Sequence, residues 1–298
     1  MTESSWGKPI AVMHPRPWRV RGTLLGGDRP LLMAILNITP DSFYDGGKHA
    51  TVDAALRRCE EMLSEGADII DIGGESTRPG AEPVPEEEEL KRVLPIIQAV
   101  AKRFECPVSI DTVKSGVARA ALESGASIIN DVSAMTTDAK MLEVPQGFGA
   151  AVVLNHMRGA PRTMQLNPEY DDVIKDVRDF LLERVRIMAS LGLSRDRIAV
   201  DPGIGFGKRL EDNNALIEHL EWLDSIGCPV LLGHSRKSFI GKTAGLEKSD
   251  RLHPSVAVAV YAALKGASIL RVHDVKATAE ALRMVESIRA GGVGTKPP

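Results

Sequence analysis

The sequence has few cysteines. Only three occur among its 298 residues, Cys59, Cys106 and Cys228, and they lie far apart. An odd number at such spacing excludes the disulfide framework of a small secreted domain and the paired spacing of a zinc cluster. We therefore interpret all three as structural side chains in a reduced compartment, and we expect a cytoplasmic location.

The sequence also lacks long hydrophobic runs and any excess of one charge. No apolar stretch approaches the roughly 20 residues of a membrane-spanning helix, and the first residues lack the apolar centre of a signal peptide. Lysine and arginine number 37 and aspartate and glutamate 40, so the net charge is only -3. This balance provides no electrostatic attraction for nucleic acid or for an anionic membrane. We expect neither as a partner.

Aromatic residues are scarce, at 4%, whereas hydrophobic residues reach 43% and charged residues 26%. This composition is typical of a globular α/β or helical protein. What the sequence does contain is a regular alternation of short apolar runs with longer segments of helical period. The apolar runs cover 31–36, 68–72, 107–110, 126–129, 150–154, 198–200, 229–233 and 268–272.

The segments with helical period lie between these runs and after the last one. They cover 52–65, 86–103, 114–124, 137–148, 170–191, 212–225, 254–265 and 275–289. Pro145 makes the fourth of them doubtful, because proline breaks or kinks a helix interior. Eight strand–helix repeats with nearly unbroken apolar strands predict a closed parallel sheet surrounded by helices.

The expected fold is therefore an α/β protein of the (β/α)8 TIM-barrel class. We assign the barrel to residues 30–290. Residues 1–29 are interpreted as an N-terminal extension that closes the floor of the barrel, and residues 291–298 as a flexible tail.

A polar residue lies at the end of every predicted strand or directly after it. In a barrel the carboxyl ends of the strands share one rim, where the chemistry of such folds takes place. Capping of the following helix accounts for any single Asn or Asp, but a complete ring favours a ligand site. The ring consists of Asn37, Asp71, Asp111, Asn130, Asn155, Asp201, His234 and His273.

Two groups of rim side chains match two parts of a ligand. Asp111, Asn130, Asp201 and Lys237 combine two carboxylates, an amide and an ammonium. Carboxylates accept paired N–H donors and an ammonium donates to a carbonyl or a ring nitrogen, which suits a guanine-like or pterin-like heterocycle. A second, cationic group suits a phosphate or a carboxylate. It consists of Arg78, Arg236, Lys237, Arg271 and His273.

Seven phrases of this sequence occur in the order and spacing of the dihydropteroate synthase family. They are ILNITPDSFYDGG, DIGGESTRPGA, SIDT, IINDVSA, DPGIGFGK, SRKSFIG and RVHDV. The chain resembles that family over roughly residues 30–289. The resemblance implies a magnesium-dependent, homodimeric TIM-barrel transferase of folate biosynthesis. Such an enzyme joins (hydroxymethyl)dihydropterin diphosphate to p-aminobenzoate and releases diphosphate, and sulfonamides compete with the aminobenzoate.

The resemblance also implies a role for individual residues of this chain. The pterin contacts would be Asp111, Asn130, Asp201, Phe206, Gly233, Lys237 and Arg271. The p-aminobenzoate contacts would be Phe43, Thr77, Arg78, Pro79, Lys237 and Ser238. Diphosphate would lie against Asn37, Arg271 and His273, with Asn37 and Asp45 as metal ligands. The expected catalytic set is Asn37, Asp45, Asp111, Lys237, Arg271 and His273.

The stretch LNITPDSFYDGG at 36–47 fits this chemistry. Mg²⁺ takes oxygen ligands and keeps several waters, so the amide of Asn37 and the carboxylate of Asp45 can anchor it to the phosphates of the substrate. If the carbon–oxygen bond breaks before the amine attacks, Asp111 and Asp45 can stabilise the cationic pterin methylene electrostatically. The sequence shows no Ser-His-Asp or Cys-His nucleophile system, and this reaction needs none.

Three positions depart from the expected pattern. Tyr44 replaces a small residue, Asn155 replaces an apolar residue beside the pterin pocket, and Pro145 interrupts a helix. These departures leave a non-catalytic pterin-binding paralogue as an alternative. A methyltetrahydrofolate–corrinoid methyltransferase is a second alternative, because that class shares the barrel and the pterin carboxylates. The helix at 253–264 is apolar on nearly all sides, which predicts a homodimer through this region.

Overall fold

The computed structural model describes residues 14–38, 47–76, 81–159, 163–166, 168–247 and 250–292. The described chain begins with a short antiparallel hairpin of β1, Trp18–Val20, and β2, Thr23–Leu25. Trp18 is fully buried and belongs to the same apolar cluster as residues inside the barrel, such as Met33 and Ile269. The hairpin therefore covers the amino-terminal end of the barrel.

Eight parallel strands form the main sheet. They are β3 Leu31–Asn37, β4 Ile69–Gly73, β5 Val108–Asp111, β6 Ile128–Asp131, β7 Ala151–Asn155, β8 Ile198–Asp201, β9 Leu231–Leu232 and β10 Ile269–Val272. Their order in the sheet is β8-β7-β6-β5-β4-β3-β10-β9. A parallel bridge between Val200 and Val230 joins the two edges, and Val200 N donates to Pro229 O at 2.9 Å. The predicted TIM barrel is confirmed.

Nine α-helices surround this sheet within the described ranges. They are α1 Gly47–Ser64, α2 Glu86–Arg103, α3 Ser115–Glu123, α4 Val144–Phe148, α5 Val173–Ser190, α6 Leu210–Glu218, α7 Ser238–Ala244, α8 Leu252–Leu264 and α9 Val275–Gly292. None of the helices in the part of the chain described here is both long and apolar enough to cross a membrane.

Two predicted helices differ in detail from the structure. The segment at 137–148 is a 3-10 turn over Ala139–Glu143 followed by the five-residue α4. Pro145 lies in the first turn of α4, where a missing N–H group breaks no helical hydrogen bond. The helix predicted at 212–225 ends as α6 at Glu218 and is followed by 3-10 turns over Leu220–Ile226.

The alternation of side chains along the strands separates two apolar clusters. Residues such as Ile70, Ile110 and Leu270 pack outward against the helices, whereas Ile69, Ile128 and their neighbours fill the interior of the barrel. Successive side chains of a strand point to opposite faces, so the next inward position lies one layer closer to the carboxyl rim. In β4, β5, β6, β8 and β10 that layer is polar, and it forms the site described below.

Candidate active site

The polar layer is centred on Arg271 of β10. Its Nε donates to Asp71 Oδ2 at 2.6 Å, and its Nη2 donates to Asp111 Oδ2 at 2.6 Å. The Arg271 side chain is 18% exposed, whereas Asp71 is fully buried and Asp111 is 6% exposed. Asn130 joins the group because its Nδ2 donates to Asp71 Oδ2 at 3.2 Å. Four strands thus deliver one connected network of charges and hydrogen bonds.

The Asp111 carboxylate has one oxygen that could accept a hydrogen bond from a ligand. Burial raises its pKa to about 7, an effect that the Arg271 guanidinium opposes and the nearby Asp71 carboxylate reinforces. One of its oxygens binds Arg271, while Oδ1 is buried and has no hydrogen-bond partner among the described residues. A buried acceptor without a partner is costly, so a ligand N–H group would relieve that cost.

Asn37 ends β3 beside this network and is half-buried. A Cβ atom built on Gly73 would lie 3.7 Å from Asn37 Oδ1 and 3.7 Å from Asp111 Oδ2. The amide oxygen and the carboxylate therefore approach the same glycine of β4. This arrangement places Asn37 at the edge of the polar layer.

Asp201 and Lys237 form the other half of the layer. A Cβ atom on Gly233 would lie 3.3 Å from Asp201 Oδ2 and 3.9 Å from Arg271 Cδ, so the chain is closely packed at that glycine. Burial raises the pKa of Asp201, and the Lys237 ammonium opposes that shift. Burial lowers the pKa of Lys237 to about 8, and Asp201 opposes that shift in turn.

The loop between β8 and α6 lies against this pair. Lys237 Nζ donates to Ile204 O and lies 4.3 Å from the centroid of the Phe206 ring. Asp201 Oδ1 accepts from Gly203 N at 2.7 Å. The glycines of this loop allow close backbone approach, and Phe206 packs beside the ammonium.

His273 and Ser238 stand next to the polar layer. His273 N donates to Ser235 Oγ at 3.2 Å, and Nδ1 of the same residue lies 3.1 Å from that hydroxyl. Ser238 is the first residue of α7 and directly follows Lys237. The rim thus offers a cation, an imidazole and a helix start near the carboxylates.

Comparison with known proteins agrees with this geometry. Residues 33–273 match the family described as pterin binding enzyme. The dihydropteroate synthase of Escherichia coli strain K12 is 46% identical over 267 residues, which cover 90% of this chain and 94% of that protein. A crystal structure of the Yersinia pestis dihydropteroate synthase with a sulfonamide drug aligns with a TM-score of 0.86 at 44% identity, covering 92% of this chain and 99% of that one.

A further solved structure is similar to the same extent. The Xanthomonas albilineans dihydropteroate synthase with 4-aminobenzoic acid aligns with a TM-score of 0.86 at 45% identity, covering 93% of this chain and 99% of that one. The chain belongs to the dihydropteroate synthase family. Membership confirms the predicted family and, with the closed sheet, the predicted fold. The individual roles assigned to site residues remain predictions.

The structure brings together all seven residues that the sequence predicts as pterin contacts. Asp111, Asn130, Asp201, Phe206, Gly233, Lys237 and Arg271 lie in one connected group with Asn37 at its edge. Phe43, Tyr44, Asp45, Thr77, Arg78 and Pro79 lie outside the described residues. The structure therefore describes all the residues predicted to contact the pterin, and Lys237 and Ser238 of those predicted to contact p-aminobenzoate.

Arg236 does not join the cationic group as predicted. Its Nε donates to Asp274 Oδ2 at 2.9 Å, and its Nη2 donates to Asp274 Oδ1. A guanidinium held at both ends by a carboxylate is already neutralised. This pairing holds Arg236 in place beside Lys237, and the backbone of Arg236 is left-handed, with a φ of 55°. We assign Arg236 no ligand contact.

Asn155, His234 and His156, which directly follows Asn155 at the end of β7, also have protein partners. Asn155 Nδ2 donates to Val132 O at 2.9 Å. This hydrogen bond provides a partner for the amide NH₂ group at a position where an apolar residue was expected. His234 Nε2 lies 3.0 Å from Ser255 O. His156 Nδ1 lies 2.9 Å from the ammonium of Lys208, and burial lowers the pKa of His156 to about 2, reinforced by that ammonium. These three side chains brace the loops around the site.

The sequence pattern predicts Asp71 only as the end of a strand, whereas β4 continues to Gly73. The inward direction of Asp71 could have been predicted from the sequence. Asp71 lies two residues after the inward-facing Ile69, and every second side chain of a strand points to the same face. A second group was missed entirely. Lys114 Nζ donates to Glu89 Oε2 at 2.6 Å and also to Glu75, and Glu89 is fully buried.

Proposed function

We propose that this chain is an active dihydropteroate synthase that condenses (hydroxymethyl)dihydropterin diphosphate with p-aminobenzoate. The observation that supports this function most directly is the connected group of Asp111, Asn130, Asp201, Lys237 and Arg271 in the barrel mouth. In the overall reaction the carbon–oxygen bond to diphosphate breaks, a carbon–nitrogen bond to the arylamine forms, and the amine loses a proton.

The pterin edge would be held by acceptors and donors from separate strands. The carboxylates of Asp111 and Asp201 accept N–H groups of the amino-pyrimidinone ring, and the Lys237 ammonium donates to its carbonyl or ring nitrogen. Asp111 Oδ1 lacks a hydrogen-bond partner among the described residues, which leaves it available to such a donor. The Arg271 guanidinium would pack against the ring.

The diphosphate would lie near Asn37, Arg271 and His273. No group of three or more His, Cys, Asp or Glu within the described ranges could hold a metal ion. The half-buried amide oxygen of Asn37 still fits Mg²⁺, because this ion binds through one or two protein oxygens together with substrate phosphates and water. Asp45 would be the second protein ligand. When bound, Mg²⁺ would neutralise charge on the leaving diphosphate.

Charge developing on the pterin methylene as diphosphate leaves would be stabilised by Asp111. The p-aminobenzoate amine is a competent nucleophile without a strong base, so the protein only needs to orient it. Lys237 and Ser238 would contact the aminobenzoate together with Phe43, Thr77, Arg78 and Pro79. Sulfonamides would compete for the same position.

The test is diphosphate release by the purified chain with Mg²⁺, pterin diphosphate and p-aminobenzoate. We expect release only when all three are present. Asn37→Ala should lower kcat on the order of 100-fold and raise the Mg²⁺ concentration needed, by analogy with losses at metal sites. Gln98→Ala changes an exposed amide on α2 and should retain full activity. Pterin binding without diphosphate release would instead indicate a non-catalytic pterin-binding protein.

We further propose a homodimer that forms through α8 and α9 and is located in the cytoplasm. Only Ser255, Ala259 and Ala262 of α8 are buried in the single chain, although the helix is almost entirely apolar. The adjacent α9 exposes Met284 at 60% and Ile288 at 62%. A second copy would cover these side chains. All three cysteines are free, which is consistent with a reducing compartment.

A further inference from the structure

Asp71 lies at the centre of the inward face of β4, in the polar layer and two residues before the end of the strand. It is fully buried, and it pairs in register with Ile35 of β3 and Ser109 of β5. Its Oδ2 accepts from Asn130 Nδ2 at 3.2 Å and from Arg271 Nε at 2.6 Å. Both donors belong to the proposed pterin pocket, so one carboxylate oxygen connects two ligand-contacting residues.

The first consequence concerns the amide of Asn130. A carboxylate is only an acceptor, so Asp71 must hold the NH₂ end of this amide and not its carbonyl end. The Asn130 oxygen is then the atom left for a ligand, and Asn130 acts towards the pterin as a hydrogen-bond acceptor. Without Asp71 the amide could rotate by half a turn and present a donor where the ligand also has one.

The second consequence concerns Arg271 and Asp111. The guanidinium uses Nε for Asp71 and Nη2 for a single oxygen of Asp111. Arginine readily forms two parallel hydrogen bonds with one carboxylate. If Asp71 were absent, Arg271 could take both oxygens of Asp111, including the Oδ1 atom that now has no partner within the described residues. Asp71 therefore keeps one acceptor of Asp111 available.

We propose that Asp71 is a positioning residue for pterin recognition, which orients the Asn130 amide with its oxygen towards the ligand and holds Arg271 away from the second oxygen of Asp111. The inference rests on the proposed function only in the identity of the ligand, a dihydropterin. Asp71 acts through its hydrogen bonds to Asn130 and Arg271 and need not touch the substrate itself.

The experiment compares Asp71→Asn with the wild-type chain. The substitution keeps the volume of the side chain but removes its charge and adds a donor facing Arg271 and Asn130. We expect the Kd for 6-hydroxymethylpterin, measured by calorimetry, and the KM for pterin diphosphate to rise at least 10-fold. The KM for p-aminobenzoate should stay within about twofold, because that substrate is not held by Asn130 or Asp111.

Ser109→Ala is the matched control. Ser109 is the register neighbour of Asp71 and equally buried, and its hydroxyl has no hydrogen-bond partner among the residues described here. Its removal perturbs the same layer without touching Arg271 or Asn130, so pterin affinity should be retained. Asp71→Ser, which is smaller and neutral, provides a second variant if Asp71→Asn folds poorly, and the same rise in Kd is expected for its folded fraction.

A double-mutant cycle separates positioning from a purely structural role. If Asp71 acts through Asn130, then Asn130→Ala should weaken pterin binding less in the Asp71→Asn background than in the wild-type background. Additive losses, or an unchanged Kd in the folded Asp71 variants, would overturn the inference even if the enzyme is active. A wild-type chain that binds pterin but releases no diphosphate would overturn the proposed reaction, while the Kd comparison would still decide the role of Asp71.

Discussion

Lys208 buries its side-chain amino group inside the loop that follows β8. The side chain is 3% exposed, and its Nζ contacts His156 Nδ1 at 2.9 Å and Phe206 O at 3.1 Å. Burial lowers the pKa of Lys208 from 10.5 to about 7, although Asp201 opposes the shift. The residue joins the loops after β7 and β8 through these contacts, although burial disfavours the charged form of its amino group.

This shift predicts how stability depends on pH. Between about 7 and 10.5 the unfolded chain keeps Lys208 protonated while the folded chain does not. The unfolded state binds more protons in this window, so the free energy of unfolding should rise with pH. Lys208→Met should reduce that slope, as measured by urea unfolding at several pH values across the window.

The control for this prediction is Lys242→Met, which changes an exposed lysine on α7 and should leave the slope unchanged. Lys237, whose pKa burial lowers to about 8, should maintain part of the slope in both variants. An identical slope in wild type and Lys208→Met would show that Lys208 is protonated in the folded chain throughout this range.

At the scale of elements, the loop between β8 and α6 is packed tightly against the loop after β7. Gly203 has a φ of +70°, and a Cβ atom there would lie 1.8 Å from His156 O. Gly207 has a φ of +64°, and its Cβ would lie 2.3 Å from Arg158 O. Only glycine allows both the left-handed backbone and this contact. The loop that carries Phe206 beside Lys237 therefore has little freedom to move.

Gly203→Ala should consequently displace this loop. We expect the free energy of unfolding to fall by more than about 2 kcal/mol, since backbone strain and steric overlap add, and pterin affinity to fall with it. Gly149→Ala is the matched control, because Gly149 has a φ of +63° but open space around its Cβ position. Its cost should be limited to the left-handed conformation, about 1–2 kcal/mol. Equal losses in both variants, measured by denaturant unfolding, would contradict the packing argument.

At the scale of the whole molecule, α8 and α9 leave apolar surface that a single chain does not cover, including Met284 and Ile288. Exposed apolar side chains that cluster on adjacent helices are typical of an interface between protein chains. Val260 on α8 is half-buried, and Ile288 on α9 is 62% exposed. A self-complementary contact of these helices would give a twofold dimer.

The combined substitution Val260→Glu and Ile288→Glu should convert such a dimer into a monomer, because burying carboxylates against an apolar partner is costly. Light scattering coupled to size-exclusion chromatography would measure the mass directly. Leu191→Glu, on an exposed apolar residue after α5 at 42% exposure, should leave the mass unchanged. A wild-type chain that elutes as a monomer at all concentrations tested would rule out the dimer.

The fold could be predicted largely from the sequence because its signals are local. Strand and helix periods repeat eight times, and each strand is short, mostly apolar and has a polar residue at or near its carboxyl end. Where local signals conflicted, the boundaries shifted, as at Pro145 and after Glu218. The proximity of the residues predicted for the pterin was predictable for a related reason, since carboxyl ends of parallel strands must share one rim. Their roles towards a ligand stay predictions.

By itself, the sequence determined the barrel, the family and the set of residue types at its mouth, because periodicity and motif spacing are properties of the chain read in order. Only the tertiary structure decided which of those residues remain available to a ligand. Arg236 is paired with Asp274, 38 positions away, and Arg271 is paired with Asp71, 200 positions away. Partners so distant along the chain are chosen by packing in space, and no local pattern records them.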